Sequence, residues 1–271
     1  MSCVTALRIA CVLAMSALSQ AQGQSAASPL PPKVTSFDSV LRVTNVVVKQ
    51  QTNAPHQLTP VDVEVLRFSD KVITAYGLQI SLRYADASES KTEVADDLIR
   101  TLVPGFAPDP GLTQYGQSHR ATFLVPSDQF GAPPVLVSAA VVWAAFDDKT
   151  VSGNGHTGSL DVIVRNRENE SRYLGDLLRE LQDAQNRPDI SAAFAAGQAG
   201  SGVPLLQQAI ADLKLNPPAG PQDGPHQRRS SDLGSFAGAL RAGKPAFDSL
   251  IDGYTNLRTV FAEHSKLMEA K

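Results

Sequence analysis

The chain has 271 residues, with 24 basic and 27 acidic side chains and a formal net charge of −3 at pH 7. That balance gives no electrostatic reason to expect nucleic acid or an anionic membrane surface as a partner, and the length suits one large domain or two small ones. Both cysteines, Cys3 and Cys11, stand near the N-terminus, so neither a disulfide framework nor a cysteine-based metal centre is expected further along.

Residues 1–21 have the layout of a secretory signal peptide: Arg8 is the only charge, Ile9–Leu18 is an apolar run, and small residues around Ala21 offer a cleavage site. A membrane span needs about 20 apolar residues, roughly twice this run. Cys11 sits near the start of the run instead of just after it, which argues against a lipid-modified cysteine. The mature chain is therefore expected outside the cytoplasm, periplasmic or secreted, without a transmembrane segment.

Residues 22–36 are small, polar and proline-containing, and read as a flexible leader. From there to residue 153 the pattern is that of strands. Val40–Val48 and Val61–Val65 are rich in β-branched residues, and the apolar phase flips at Leu66 and Phe68, the mark of a bulge or a change of sheet. Ile73–Tyr84 alternates by parity, so it builds a half-buried strand. Ser90–Ile99 is a weaker strand and His119–Pro126 a better one. Pro134–Phe146 is apolar at both parities, as in a strand covered on both faces, and Asp147–Thr150 reads as a tight turn. About six or seven strands separated by short turns point to an antiparallel sandwich over 37–153.

Beyond Ser152–Ser159 the period changes from two to 3.6. Tyr173, Leu174, Leu177, Leu178 and Leu181 form one helical stripe, and Ser201–Leu215 carries another. Residues 216–231 are a Pro/Gly-rich break. Phe247, Leu250, Ile251, Tyr254, Leu257, Phe261, His264 and Met268 form the clearest stripe. The helical region, 159–271, can either cover a sheet face through its stripes or stand apart as a bundle. The two-faced strand around Trp143 favours covering.

Chemical signatures are scarce. His56, His119, His156, His226 and His264 lie far apart, without a paired His or Cys at metal-ligand spacing, so no metal and no cofactor is expected. Gly234–Gly238 places its serine one position too early for a nucleophile elbow. Ser88–Lys91 matches S-x-x-K only formally, because it lies at a strand end. The paired carboxylates Asp96, Asp97 and Asp147, Asp148 read as solvent-facing or turn residues. The Asn169–Ser171 sequon falls inside an expected helix. No catalytic residue is assigned. Val103–Ser118 is a long connection with two aromatic residues, Phe106 and Tyr115, which are the binding candidates. The competing reading folds Phe106 under its own sheet.

The run from Val65 to Ser88, with Leu102–Gly105 and Ala121–Pro126 downstream, resembles the immunoglobulin-like modules of bacterial exported proteins, the FxLYD-type domains among them. The likeness covers about residues 60–130. It departs from the pattern at Arg67-Phe68, where an Asn is usual before the turn, and at Ala87, where a Gly is usual after the Asp. It implies a fold and an extracytoplasmic setting, and carries no site residues. The expectation is thus an α+β protein, an immunoglobulin-like β-sandwich followed by a helical region. Its expected role is non-enzymatic, binding an envelope protein or a glycan or serving structurally. The alternative is a hydrolase whose site assembles in space, in a pocket where His119 and carboxylates converge.

Overall fold

The computed structural model describes residues 33–35, 40–49, 58–107, 111–126, 134–153, 157–195, 232, 234–236, 238, 239 and 242–269. The expected signal segment, the stripe over Ser201–Leu215, the break at 216–231 and His56, His156 and His226 lie outside these residues. Strands β1 (Lys33–Thr35), β4 (Ile73–Arg83), β5 (Glu89–Asp97), β7 (Val135–Phe146), β8 (Thr150–Gly153) and β9 (Met268–Glu269) form one sheet. Its order is β5-β4-β7-β8-β9, with β1 parallel to β7. Strands β2 (Leu41–Val48), β3 (Leu58–Arg67) and β6 (Ser118–Pro126) form a smaller antiparallel sheet in the order β2-β3-β6. Helices α1 (Gly158–Gln185), α2 (Pro188–Ala195) and α3 (Lys244–His264) follow. The protein is therefore α+β, with antiparallel sheets in its N-terminal part and helices in its C-terminal part. Lys33–Thr35, inside the stretch read as leader, is a strand of the larger sheet.

Parity explains the core. Val61, Val63 and Val65 of β3 turn inward with Phe123 and Val125 of β6, and they meet Tyr76, Leu78, Ile80 and Leu82 of β4. Each full burial of such a side chain contributes about 1.5–3 kcal/mol. The phase flip expected at Leu66 does not occur: Arg67 takes the inward position while Leu66 is half-buried. The irregularity lies instead in β2, between Val43 and Asn45. The change of sheet does come after β3, since β4 belongs to the larger sheet.

The two-faced strand β7 owes its character to a bulge. Gly77 pairs with Trp143 but Leu78 pairs with Val141, so one extra residue of β7 is accommodated there. Ala139 and Val141 face the inter-sheet core, as do Ala144 and Phe146, and the shift turns Trp143 to the opposite face. There the indole lies across Gly77, where any Cβ would overlap it. Helix α1 closes over this face, its Leu160 and Ile163 packing with Ala75, Trp143 and Ala145.

The helices cover the sheet, though not through the stripes expected to do so. Tyr173, Leu174, Leu177, Leu178 and Leu181 of α1 pack on Phe247, Ile251, Tyr254, Leu257 and Phe261 of α3, closed by Ile99 and Val103 after β5. The sheet is met by the first turns of α1 instead. Arg167, fully buried, fixes that contact: its Nη2 donates to Asp97 Oδ1 at 2.7 Å and to the Thr74 carbonyl at 2.9 Å, and its Nη1 to the His264 carbonyl at 3.1 Å. Helix α3 ends at His264, so Met268 belongs not to its stripe but to β9, opposite Thr150.

Candidate functional site

The connection from β5 to β6 carries both aromatic candidates and gives them different surroundings. Phe106 meets Tyr254 edge to face, with centroids 5.1 Å apart, and packs on the helical core. It is not folded under its own sheet. It also borders a cavity of about 860 Å3 that Arg100, Asp252 and Tyr254 help to line. Gly253 faces this ring closely, and a Cβ there would stand 2.9 Å from it.

Tyr115 is presented outward, 65% exposed, with its ring edge to face against Phe68 at 6.0 Å. Arg42 covers Phe68, its Cζ 4.8 Å from the ring centre. The turn beneath Tyr115 is held firmly. The Gln117 amide donates to the Gln114 carbonyl at 3.2 Å, and Gly116 sits at φ 75°, which favours glycine at that corner. Gln117 Oε1 accepts from the Thr113 and Gln114 amides, each at 2.9 Å. Below, Arg67 donates from Nη1 to the Leu112 carbonyl at 3.1 Å and from Nε to the Ser69 carbonyl at 2.8 Å. Burial pushes this guanidinium below its usual value, with Asp147 and Asp70 opposing. A ring that needs no ordering before contact loses less entropy on binding. Pro108 and Pro110 of the same connection lie outside the described residues.

A second constellation joins the two sheets. Asp96 of β5 and His119 of β6 point between them, Oδ2 and Nε2 2.8 Å apart, and the Tyr76 hydroxyl donates to the same oxygen at 3.3 Å. The paired carboxylates Asp96 and Asp97 are thus not solvent-facing partners: strand alternation sends Asp96 to His119 and Asp97 to Arg167. A groove of about 980 Å3 runs past Asp96 and His119, so a pocket with converging imidazole and carboxylate does exist. The imidazole is 8% exposed, its Nε2 is engaged by Asp96 and its Nδ1 is buried. Neither nitrogen is presented to a molecule in the groove, as a general base requires. The pairing is 23 residues apart in sequence and crosses between sheets; the inward parity of Asp96 with Val94 was its only sequence signal.

His264 serves packing: its Nδ1 and Nε2 lie 3.0 Å from the Val260 and Asp147 carbonyl oxygens. Asp147 and Asp148 occupy the expected turn, and Asn169 lies within α1. No group of His, Cys, Asp and Glu among the described residues could hold a metal ion, and no described helix is long and apolar enough to cross a membrane. In comparisons with known proteins, the chain matches no family model, no curated protein and no solved structure.

Proposed function

We propose that this is an extracytoplasmic, non-enzymatic binding module, built on an immunoglobulin-like sandwich with a helical cover, that engages an envelope protein or glycan through the Val103–Ser118 connection. The observation that carries the reading is the pinned turn that holds Tyr115 two-thirds out of the surface. Exposed aromatic residues on ordered supports contribute large contact area, and binding hot spots are enriched in them. The resemblance over residues 60–130 and the two sheets sharing one apolar core support the sandwich. The signal-like segment supports export.

The test is retention of envelope proteins and cell-wall glycan on immobilised mature chain, compared with Tyr115→Ala and Phe106→Ala. Tyr115→Ala should lower retention at least tenfold with an unchanged melting temperature. Phe106→Ala should lower the melting temperature first, because its ring closes the helical core. Retention indifferent to Tyr115 sinks the reading.

A spatially assembled hydrolase is the second reading, and its support is the groove beside Asp96 and His119. It predicts turnover of an ester or glycoside panel that disappears in His119→Ala while the fold survives.

A further inference from the structure

Resting on the reading that Tyr115 marks a binding turn, we propose that its ligand is an acidic glycan, with a carboxylate on Arg42 and a sugar ring on Tyr115. Three parts of the chain meet here. Arg42 of β2 pairs with Leu66 of β3, and Leu66 with Ser118 of β6, so this row crosses the outer face of the smaller sheet. The Phe68 amide donates to the Val40 carbonyl at 2.8 Å, which keeps its ring beside the start of β2. Tyr115 is tied to the same end of β3. The Gly116 amide donates to the Arg67 carbonyl at 2.9 Å, and the Arg67 amide to the Gln117 carbonyl at 3.0 Å.

Arg42 is exposed and makes no ion pair among the described residues. The acids along the same face are engaged, Glu64 by Arg120 at 3.3 Å and Asp62 by Lys49 at 2.7 Å. Asp70 faces the buried guanidinium of Arg67. One positive charge is therefore left over at this end of the sheet. Its guanidinium is held in place, with Cζ 4.8 Å from the Phe68 ring centre. A guanidinium stacked on a ring keeps its N–H groups in its own plane, where a carboxylate can accept two of them at once.

The occupant follows from what stands beside that charge. Tyr115 leans edge to face on Phe68 and is otherwise largely open, so it offers ring surface to a flat apolar partner. The C–H face of a pyranose is such a partner, and an acidic sugar carries its carboxylate at the rim of that ring. Rigid aromatic side chains give contact area at low entropic cost. A protein partner needs roughly 800 Å2 on each side, and the apolar surface here is interrupted. The Asn45–Glu64–Arg120 row separates Tyr115 and Arg42 from the exposed Val47, Leu58 and Leu124. A ligand of one or two sugar units matches the platform that remains.

The experiment titrates the mature chain with trigalacturonate and, as its uncharged counterpart, trigalactose, by calorimetry at low salt. The acidic sugar should bind saturably and roughly tenfold tighter, and added salt should narrow that margin because Arg42 is exposed. Arg42→Gln should bring the two sugars to equal affinity with an unchanged melting temperature, and Tyr115→Ala should abolish binding of both. Equal affinity in the parent chain, or a preference that survives Arg42→Gln, would overturn the proposal. So would displacement of the sugar by a glutamate nonapeptide at equal concentration, since the site would then read carboxylates on a polypeptide. If neither sugar binds while an envelope protein is still retained through Tyr115, the glycan assignment fails and the binding turn stands. If retention also ignores Tyr115, both fail.

Discussion

The core between the two sheets and the seam between α1 and the larger sheet are held by different forces. Between the sheets, valine, leucine, isoleucine and phenylalanine side chains interlock with little polar content. At the seam a smaller apolar set, Leu160 and Ile163 on Ala75, Trp143 and Ala145, is accompanied by buried directional bonds. Arg167 ties α1 to β4, β5 and the end of α3. Trp143 Nε1 donates to Ser159 Oγ at 2.9 Å and to Glu93 Oε1 at 3.2 Å, and Ser159 donates in turn to Glu93. Apolar burial is non-directional and tolerates exchange of one hydrophobe for another. A buried hydrogen-bond set fails when one member is lost, because its partners stay desolvated. The sheets are thus joined by area, and the helices are placed by a few specific bonds.

The sharpest way to break that contrast is Arg167→Ala. Removing one partner of a buried pair typically costs about 3–5 kcal/mol, and we expect about 4 kcal/mol by urea unfolding. Amide exchange should quicken first in α1 and at the Asp97–Leu98 step, with the inter-sheet strands still protected. A loss below about 1 kcal/mol would mean that the seam is held by its apolar contacts. Leu78→Ala tests the other region. It should cost about 3 kcal/mol as a cavity, and exchange should then rise throughout, because no single bond is broken.

Gly77→Ala sharpens the account of the bulge. A methyl group meets the indole of Trp143, and overpacking of this kind costs about 1–3 kcal/mol. Trp143→Leu in the same chain should recover part of that loss, a coupling a double-mutant cycle would read as about 1 kcal/mol. Additive losses would show that the two residues do not press on each other. Tyr84→Phe removes the hydroxyl that donates to the Pro126 carbonyl at 3.0 Å and lies 3.0 Å from Ser90 Oγ, joining β6 to the larger sheet, and should cost about 1 kcal/mol.

The same contrast marks what was legible in the sequence. Parity revealed β3, β4 and β6, a run apolar at both parities revealed β7, and the 3.6 period revealed the stripes of α1 and α3, because burial imprints itself on spacing; the half-buried reading of β4 fell short, since its second face is buried as well. The pairing of those stripes with each other was not readable, since a stripe records that a face is covered and not what covers it. Arg167 looked like one charge among many on a long helix, and its three backbone and side-chain partners lie 70 to 97 residues away. Met268 fitted the helical spacing although the helix stops at His264. Tyr115 stood in a connection that reads as loop, and the turn that holds it, made by Gln117 Oε1 on two backbone amides, leaves no spacing to read. The Asp96–His119 clasp was not legible either, because it joins strands that never pair.

The smallest predicted effect lies in the turn from β7 to β8, where the sheet is finished by charge. Burial raises the Asp148 carboxyl, but hydrogen bonds from Lys71 and Thr150 outweigh it and hold the group down to about 2. Lys71 Nζ stands 2.5 Å from Asp148 Oδ2 and also lies over the Phe146 ring at 5.4 Å. Because the folded value is below the unfolded 3.8, the stabilisation is complete above the unfolded value and is lost as pH falls through about 2. The Asp148 side chain is 43% exposed, so solvent screening reduces the contribution to about 0.5 kcal/mol. Asp148→Asn should therefore lower stability slightly at pH 6 and match the parent chain at pH 2. Thermal melts of both chains at the two pH values check this. If the difference persists at pH 2, the turn depends on the geometry of the Asp148 to Thr150 bonds and not on charge, and this end of the sheet resembles the helix seam more than the apolar core.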